Sequence, residues 1–267
     1  MAMTAPTLPT EYLTELDSIL THESYSARYA VQGAEFVNAK QVSVPEITFD
    51  GGTNEYDRFK TENSGALSYT TYTLDHDQEA VFYVDAVEDA DAQSILSTQT
   101  AAEFERQKLI PEVDTDFFAK AVEAAGGTGT ETITAGNVKQ VIRKARSQFV
   151  KVGLAGGDLY LTSEAIGALE DATKREWGSD GAITDSVGVY DGFTVYEVAD
   201  DVLGTDLLAI SGGTNTIRHI TKRAVAYHFA PGQHTQGDGY LDQYRWVYGN
   251  IVRKNKTVGI YSNKHAA

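Results

Sequence analysis

The segment from Asp89 to Ala125, DADAQSILSTQTAAEFERQKLIPEVDTDFFAKAVEAA, decides how the chain is organised. Its apolar residues recur at the spacing of a single helix face, at Ile95, Ala102, Leu109, Val113, Phe117 and Ala121. Asp89 or Asp91 can cap the start of this helix, and Gly126-Gly127 can end it. The segment is much longer than the average helix of about 11–12 residues. The pattern therefore predicts one long helix that runs along the body of the protein as a spine.

Pro111 interrupts this pattern. A proline inside a helix lacks the amide hydrogen and crowds the carbonyl four residues earlier, which costs about 3 kcal/mol. We expect a single bent helix, and the alternative is a pair of helices that meet at Ile110.

Composition limits the classes of function. The 267 residues suffice for one elaborate domain or two, and the net charge of −16 comes from 38 acidic against 22 basic residues. Such a surface repels phosphate backbones, so general nucleic-acid binding is not expected, although enclosing DNA without gripping it is compatible. The absence of cysteine excludes disulfides, thiolate metal sites and thiol catalysis.

The sequence shows no signal for a membrane. The start, MAMTAPTLPTEYLTEL, has no basic and no apolar region of a signal peptide, and no stretch reaches the length of a membrane span. The chain has 15 tyrosines, a residue type that is enriched at protein interfaces.

The first part of the chain predicts appendages. Residues 1–44 resemble an arm whose apolar side carries Tyr12, Leu13, Leu16, Ile19 and Leu20. This arm either docks on a partner, which the spacing favours, or is disordered. Residues 45–80 predict a long two-stranded projection with little core beneath it, and we place a strand turn at Asp75-His76-Asp77. Because an isolated hairpin is marginally stable in water, the projection should rest on a neighbouring subunit.

The remainder alternates between helices and strands. Residues 126–134 predict a flexible link, and Thr134 can cap a helix whose buried stripe is Val138, Val141, Ile142, Ala145 and Phe149. A strand at Leu159–Leu161 precedes a helix that Thr162 or Ser163 can cap and that runs to Thr173. With strands at 193–198 and 206–210, they complete an α/β unit over residues 130–212. A strand within 217–229, an aromatic strand with Tyr244, Trp246 and Tyr248, and a last strand at Val258–Tyr261 follow.

Two separated blocks carry a resemblance to a known family. VFYVDAVEDADA with EFERQKLIPEVDTDFFAKA, and FAPGQHTQGDGYLDQYRWVYGNIVRKNKTVGIYSN near the end, resemble the major capsid proteins of tailed bacteriophages. LYLTSEAIGAL and VYDGFTVYEVADDVL between them are similar to the family's strand–helix and strand motifs, so the resemblance covers roughly residues 30–262.

The resemblance implies an α+β fold and a structural function. It implies an arm at 1–44, an extended β-hairpin loop at 45–80, a peripheral domain with the spine helix at 81–129 and 213–267, and an axial domain at 130–212. It also implies a protein without enzymatic activity, cofactor or metal. Its copies would form pentamers and hexamers of an icosahedral shell around DNA, assembled in the host cytoplasm and found in the virion. Portal, scaffolding and decoration proteins are further candidate partners, and no membrane is involved.

The resemblance and the apolar spacing together single out contact residues between subunits. They are Tyr12, Leu16, Ile19, Phe49, Tyr56, Phe59 and Lys60. Some family members link a loop lysine to a neighbour's asparagine, so Lys60 with Asn250 or Asn255 is a candidate pair, although a solvated lysine is the favoured interpretation.

Two other classes of protein remain as alternatives. A cellular compartment shell with the same fold would enclose protein cargo, and a soluble hydrolase would use Asp and His side chains such as Asp75, His76 and Asp77. A metal site is the alternative for His219, His228 and His234, but their spacing fits no ligand pattern. Stacking on bases is the alternative for the aromatic strand, for which core or subunit contact is favoured.

Overall fold

The computed structural model describes residues 24–31, 40–49, 58, 65–87, 103–173 and 186–264. The strands are β1 (Gln41–Phe49), β2 (Gly65–Thr73), β3 (His76–Asp85), β4 (Gly127–Gly129), β5 (Gly157–Leu161), β6 (Ser186–Tyr190), β7 (Phe193–Glu197), β8 (Leu207–Ile210), β9 (Ile217–Phe229), β10 (Gly239–Val252) and β11 (Ile260–Asn263). The helices are α1 (Ile110–Glu123), α2 (Val138–Lys151), α3 (Ser163–Thr173) and α4 (Asp200–Leu203). Within these ranges, no helix combines the length and the apolar character needed to cross a bilayer.

A six-stranded mixed sheet, in the order β4-β11-β8-β5-β7-β6, forms the centre of the main core. Successive side chains of a strand point to opposite faces. On β5, Leu159 and Leu161 therefore join the cluster on one face, while Tyr160 joins the cluster on the other. A sheet that is buried on both faces needs a helical layer on each side.

Helices α2 and α3 form one of these layers. All five residues of the predicted stripe on α2 are fully buried against the sheet, namely Val138, Val141, Ile142, Ala145 and Phe149. The Oγ1 atom of Thr162 accepts a hydrogen bond from the amide of Ala165 and so caps α3, as the sequence predicts. The predicted cap of α2 is wrong by three residues, because Asn137 and not Thr134 occupies the N-cap position.

Helix α1 forms the other layer. Phe117, Phe118 and Ala121 are fully buried, and they pack with Tyr160 and Leu208 of the sheet. This face agrees with the sequence pattern at Phe117 and Ala121. Residues 89–102, the first part of the predicted spine, lie outside the described residues.

Pro111 lies within one continuous helix. A π-helical turn at Glu105–Leu109 precedes α1, and Ile110 donates its amide hydrogen to the carbonyl of Glu105, five residues earlier. The backbone angles of Leu109 and Ile110 are helical, so the alternative of two helices that meet at Ile110 does not apply. A π-helical turn is a known way to absorb a break in the regular hydrogen-bond ladder.

Gly126 follows helix α1, but the structure requires a glycine there for a reason other than the predicted helix stop. Gly126 donates its amide hydrogen to the carbonyl of Thr257, and a Cβ atom at Gly126 would lie 2.6 Å from that carbonyl group. The glycine is thus required by close approach of two backbones. The predicted flexible link is also wrong in part, because β4 pairs with β11 as a parallel strand. The six-stranded sheet therefore extends on both sides of the predicted unit 130–212.

The remaining strands form two smaller sheets. β3, β10 and β9 form a three-stranded antiparallel sheet, and β1 pairs with β2 in a two-stranded ribbon. The predicted turn at Asp75-His76-Asp77 does not join a hairpin, because β2 pairs with β1 while β3 pairs with β10. Leu74, just before this turn, is buried in a cluster with Ile220 and Val247, so the chain crosses there from the ribbon to the sheet.

Candidate subunit-contact surfaces

The ribbon of β1 and β2 has one anchored end and one exposed end. Val42 at its root is buried with Leu74, and Val44 and Tyr72 pack against the same cluster. In the register of the ribbon, Ile47 lies opposite Leu67.

Further from the root, the ribbon presents apolar side chains to solvent. Pro45 lies opposite Tyr69, two residues from the pair of Ile47 and Leu67 and therefore on the same face. The exposed fractions are 65% for Ile47, 57% for Leu67 and 65% for Tyr69. A clustered apolar face on a narrow ribbon is typical of a surface that contacts another protein.

Charged side chains fix the position of the ribbon's root. The Asp77 carboxylate accepts hydrogen bonds of 2.9 and 3.0 Å from Arg245 and lies 3.0 Å from the Lys40 amino group. The hydrogen bonds from Arg245, and then from Lys40, hold the pKa of Asp77 well below its ordinary value. Tyr72 also accepts a hydrogen bond of 3.0 Å from the amide of Lys254.

The end of the predicted arm is docked on its own chain. Residues Ser26–Tyr29 form a short 3₁₀ helix that lies against α1, and Asp114 of α1 is fully buried beneath it. The Asp114 carboxylate accepts hydrogen bonds of 2.9 Å from the amides of Tyr25 and Ser26 and one of 3.2 Å from Ser24 Oγ. The arm prediction places the whole of 1–44 on a partner or in disorder, and it is wrong for residues 24–31.

Aromatic side chains complete this anchor. Tyr29 donates a 2.5 Å hydrogen bond to Asp158 and accepts one of 3.3 Å from Tyr160, and burial raises the pKa of Tyr29 well above its ordinary value. The Arg28 guanidinium lies 4.2 Å from the centre of the Tyr196 ring. The segment is therefore held by buried polar and aromatic contacts in addition to its backbone.

Six of the seven predicted contact residues lie outside the described residues, namely Tyr12, Leu16, Ile19, Tyr56, Phe59 and Lys60. Phe49 ends β1, and its backbone pairs with Gly65 at the far end of the ribbon. Of the two candidate crosslink acceptors, Asn255 is exposed. Asn250 is buried, donates to Asp116 at 2.7 Å and lies 2.9 Å from His219, so it is not accessible to a neighbour's lysine.

The candidate catalytic and metal-binding side chains are dispersed. Asp75 pairs with Lys120 at 3.0 Å, whereas Asp77 pairs with Arg245. His76 stacks on Tyr248 at 4.7 Å, and its Nε2 lies 3.1 Å from Asp116 without the alignment of a hydrogen bond. These neighbours have three different partners and do not form an acid–base pair.

The three histidines have separate surroundings as well. His219 lies beside Asn250 and Thr221, His228 lies 2.5 Å from Asp242, and His234 donates to the carbonyl of Gly239. Among the described residues, no group of three or more His, Asp or Glu side chains is arranged to hold a metal ion.

The aromatic strand packs against its own chain, with Tyr248 buried and with Tyr244 and Trp246 half-buried. Trp246 stacks on Tyr244 at 5.7 Å and on Phe104 at 5.8 Å, and Phe82 contacts Phe104 at 5.0 Å. These rings join the three-stranded sheet to the helical segment before Pro111, so at least part of the predicted core or subunit contact lies within the chain itself. Sequence reasoning missed Asp114, because a carboxylate at that position fits the solvated face of a helix equally well.

Comparison with solved structures identifies proteins that share this fold. No protein-family model and no curated protein matches the sequence. The capsid of the cyanophage P-SCSP1u matches 97% of this chain and 93% of its own with a TM-score of 0.70 at 12% identity. The mature capsid of bacteriophage PhiM1 matches 97% of this chain and 92% of its own with a TM-score of 0.69 at 13% identity. The virus-like particle from Pyrococcus furiosus matches 91% of this chain and 92% of its own with a TM-score of 0.57 at 11% identity. The chain therefore has the fold of phage capsid proteins over nearly its whole length.

Proposed function

We propose that this protein is the major capsid subunit of a tailed phage, which self-assembles into the icosahedral head that encloses the DNA genome. The observation that carries the proposal is the likeness to two phage capsids over 97% of the chain, with TM-scores of 0.70 and 0.69. The role is structural and needs no catalytic group. The virion is the proposed location, and the host cytoplasm is the proposed place of assembly.

The elements are assigned to the parts of a capsid subunit within this proposal. The ribbon of β1 and β2 supports an extended loop at 45–80. The helix through Pro111 and the three-stranded sheet support a peripheral domain at 81–129 and 213–267. The α2 and α3 layer, with the strands that it covers, supports an axial domain at 130–212. The sheet shares β4 and β11 with the peripheral part, so continuous strand pairing joins the two parts.

The ribbon gives the proposal its physical mechanism. Ile47, Leu67 and Tyr69 are each more than half exposed, and none of them belongs to a core cluster of the described residues. Burying such a side chain completely contributes about 1.5–3 kcal/mol, so covering the exposed fractions of all three would contribute about 3–6 kcal/mol before ordering costs. A contact of this strength is weak for an isolated pair, but it is repeated for every subunit of a closed shell.

The proposal is tested by negative-stain microscopy of the purified protein. Closed shells of uniform diameter are expected, and a protein that stays monomeric at all concentrations would refute the function. The triple variant Ile47→Ser, Leu67→Ser, Tyr69→Ser should lose most of the shell yield while the dispersed subunit keeps its free energy of unfolding within about 0.5 kcal/mol. Val150→Ser, which removes an exposed valine from α2, is the matched control and should assemble normally.

The arm is tested by deletion of residues 1–23. The deletion ends before Ser24, because Ser24 and Tyr25 bind Asp114, and a longer deletion would remove part of the core. If Tyr12, Leu16 and Ile19 contact neighbouring copies, the truncated protein should fold normally but assemble poorly. An unchanged shell yield would remove the arm from the assembly mechanism.

The alternatives predict different contents of the particle. A phage head contains DNA and a cellular compartment contains protein, so nucleic-acid and protein analysis of particles from infected or expressing cells separates the two. The likeness to phage capsids at TM-scores of 0.70 and 0.69 favours the phage head. The fold and the dispersed Asp and His side chains weigh against a soluble hydrolase. Portal, scaffolding and decoration proteins remain proposed partners of the shell.

A further inference from the structure

A pocket of about 430 Å³ lies where the end of β10 meets the turn before β11. Val152, Leu154 and Val258 form its apolar wall, and its polar residues are Asn215, Thr216, Arg253, Asn255 and Lys256. No acidic side chain is among the described residues that line it. The pocket is therefore positively charged, although the whole chain has a net charge of −16.

Arg253 is the central group of this pocket. Its backbone amide donates a 3.0 Å hydrogen bond to the carbonyl of Thr216, which fixes the position of the residue. The Nε atom of Arg253 is buried and has no hydrogen-bond partner among the described residues. A buried donor without an acceptor costs free energy, so this guanidinium group gains from any acceptor that reaches it.

A second guanidinium group lies next to the first. Arg218 donates from Nε to the carbonyl of Thr214 at 2.8 Å. Burial, and after it the positive charge of Arg253, lower the pKa of Arg218. Lys254 and Lys256 follow Arg253 in the chain, and none of the four cations forms an ion pair with a described acidic residue. Two of these cations, Arg253 and Lys256, line the pocket, which thus has the unbalanced positive charge of an oxyanion site.

We propose that this pocket binds a carboxylate side chain from a second copy of the chain. The inference rests on the proposed self-assembly, in which 38 acidic residues on every copy offer the complementary group. A concave pocket of this volume has room for a protruding side chain, whereas the phosphates of duplex DNA lie on a convex surface that fits it poorly. A positive pocket on a strongly acidic protein also fixes the register of a contact, because other juxtapositions of two copies bring like charges together.

The pocket is tested first on dispersed subunits, with inorganic phosphate as the probe oxyanion. At about tenfold excess over its Kd and constant ionic strength, phosphate should raise the Tm by about 2–4 °C. Arg253→Gln should abolish this rise. Lys256→Gln should weaken phosphate binding about three- to fivefold. Because Lys256 is exposed, this second variant should fold normally and tests the site even if Arg253→Gln does not fold. Arg143→Gln, which removes an exposed arginine from α2, should bind phosphate like the unaltered protein. Absence of any phosphate effect on the unaltered protein would overturn the anion site.

The source of the anion is tested on shells. The protein concentration that gives half-maximal assembly should rise at least about tenfold in Arg253→Gln and stay unchanged in Arg143→Gln, and phosphate should inhibit assembly of the unaltered protein. If Arg253→Gln assembles like the unaltered protein, the carboxylate contact is wrong while the proposed function stands. If the variant assembles normally but retains less DNA, the partner is a nucleic-acid phosphate and the contact is again wrong. If the unaltered protein forms no shells, the proposed function and the contact fail together.

Discussion

Replacing Asp114 by asparagine should release residues 24–29 from helix α1. The Asp114 carboxylate is fully buried and accepts hydrogen bonds from the amides of Tyr25 and Ser26 and from Ser24 Oγ. The asparagine side chain has nearly the same shape, but one oxygen becomes an NH₂ group. In either orientation of the amide, at least one backbone N–H then faces a donor instead of an acceptor.

The size of the effect follows from these contacts. A hydrogen bond to a charged group contributes about 1.5–3 kcal/mol, and a buried donor without a partner costs about 1–3 kcal/mol. The asparagine avoids part of the cost of burying a charge, which offsets some of the loss. We expect a net loss of about 2–3 kcal/mol, which corresponds to a change of roughly 30- to 150-fold in the equilibrium for detaching the segment.

Hydrogen exchange on the dispersed subunit measures this detachment directly. The amides of Tyr25 and Ser26 should exchange about 30- to 150-fold faster in Asp114→Asn, while the amides of β5 and β8 keep their protection. Glu123→Gln, which changes an exposed carboxylate on the same helix, should alter the exchange of neither group. Exchange of Tyr25 and Ser26 within about threefold of the unaltered protein would show that Asp114 does not hold the segment.

Three further predictions concern the core and its pH dependence. Phe117→Ala removes a fully buried ring that contacts Tyr29 at a centroid distance of 5.0 Å, and it should lower the free energy of unfolding in urea by about 3–5 kcal/mol; a loss below about 1 kcal/mol would contradict the packing described. Gly126→Ala places a methyl group 2.6 Å from the Thr257 carbonyl and should cost about 1–3 kcal/mol in the same assay, whereas Gly167→Ala, in an open position on α3, should not destabilise. Burial lowers the pKa of His219 below its ordinary value of 6.5, so the unfolded chain binds the proton first as pH falls. The difference in free energy of unfolding between the unaltered protein and His219→Gln should therefore be constant above pH 6.5. Below pH 6.5 it should shift in favour of the variant. Parallel pH profiles of the two proteins would refute this assignment.

The local structure of the helices was predictable because their signals are periodic. The stripe on α2 and the cap of α3 depend on residues within a few positions of one another, and the structure confirms them. The apolar spacing across Pro111 likewise predicted a helix on both sides of the proline. Whether the helix continues or breaks at the proline depends on its packing against the neighbouring layers. In the structure it continues, with a π-helical turn just before Pro111.

The partners of the strands were not predictable in the same way. Alternation identifies β2 and β3 as strands, but any strand of suitable length offers the same row of donors and acceptors to several neighbours. Leu74 decides the outcome, because its burial with Ile220 and Val247 directs the chain out of the ribbon and into the three-stranded sheet. Sequence reasoning joined the two strands in a hairpin because it had no measure of that burial.

The sequence by itself determined the class of fold, the faces of the helices and the acidic, cysteine-free character of the protein, since these depend on composition and on short spacings. Only the tertiary structure decided which charged side chains are buried and which have a partner. Asp114 and Arg253 resemble ordinary surface residues in the sequence, yet one is enclosed beneath the amino-terminal segment and the other lines a pocket with an unpaired donor. Their environments are created by segments far apart in the chain, and no local pattern of residues encodes them.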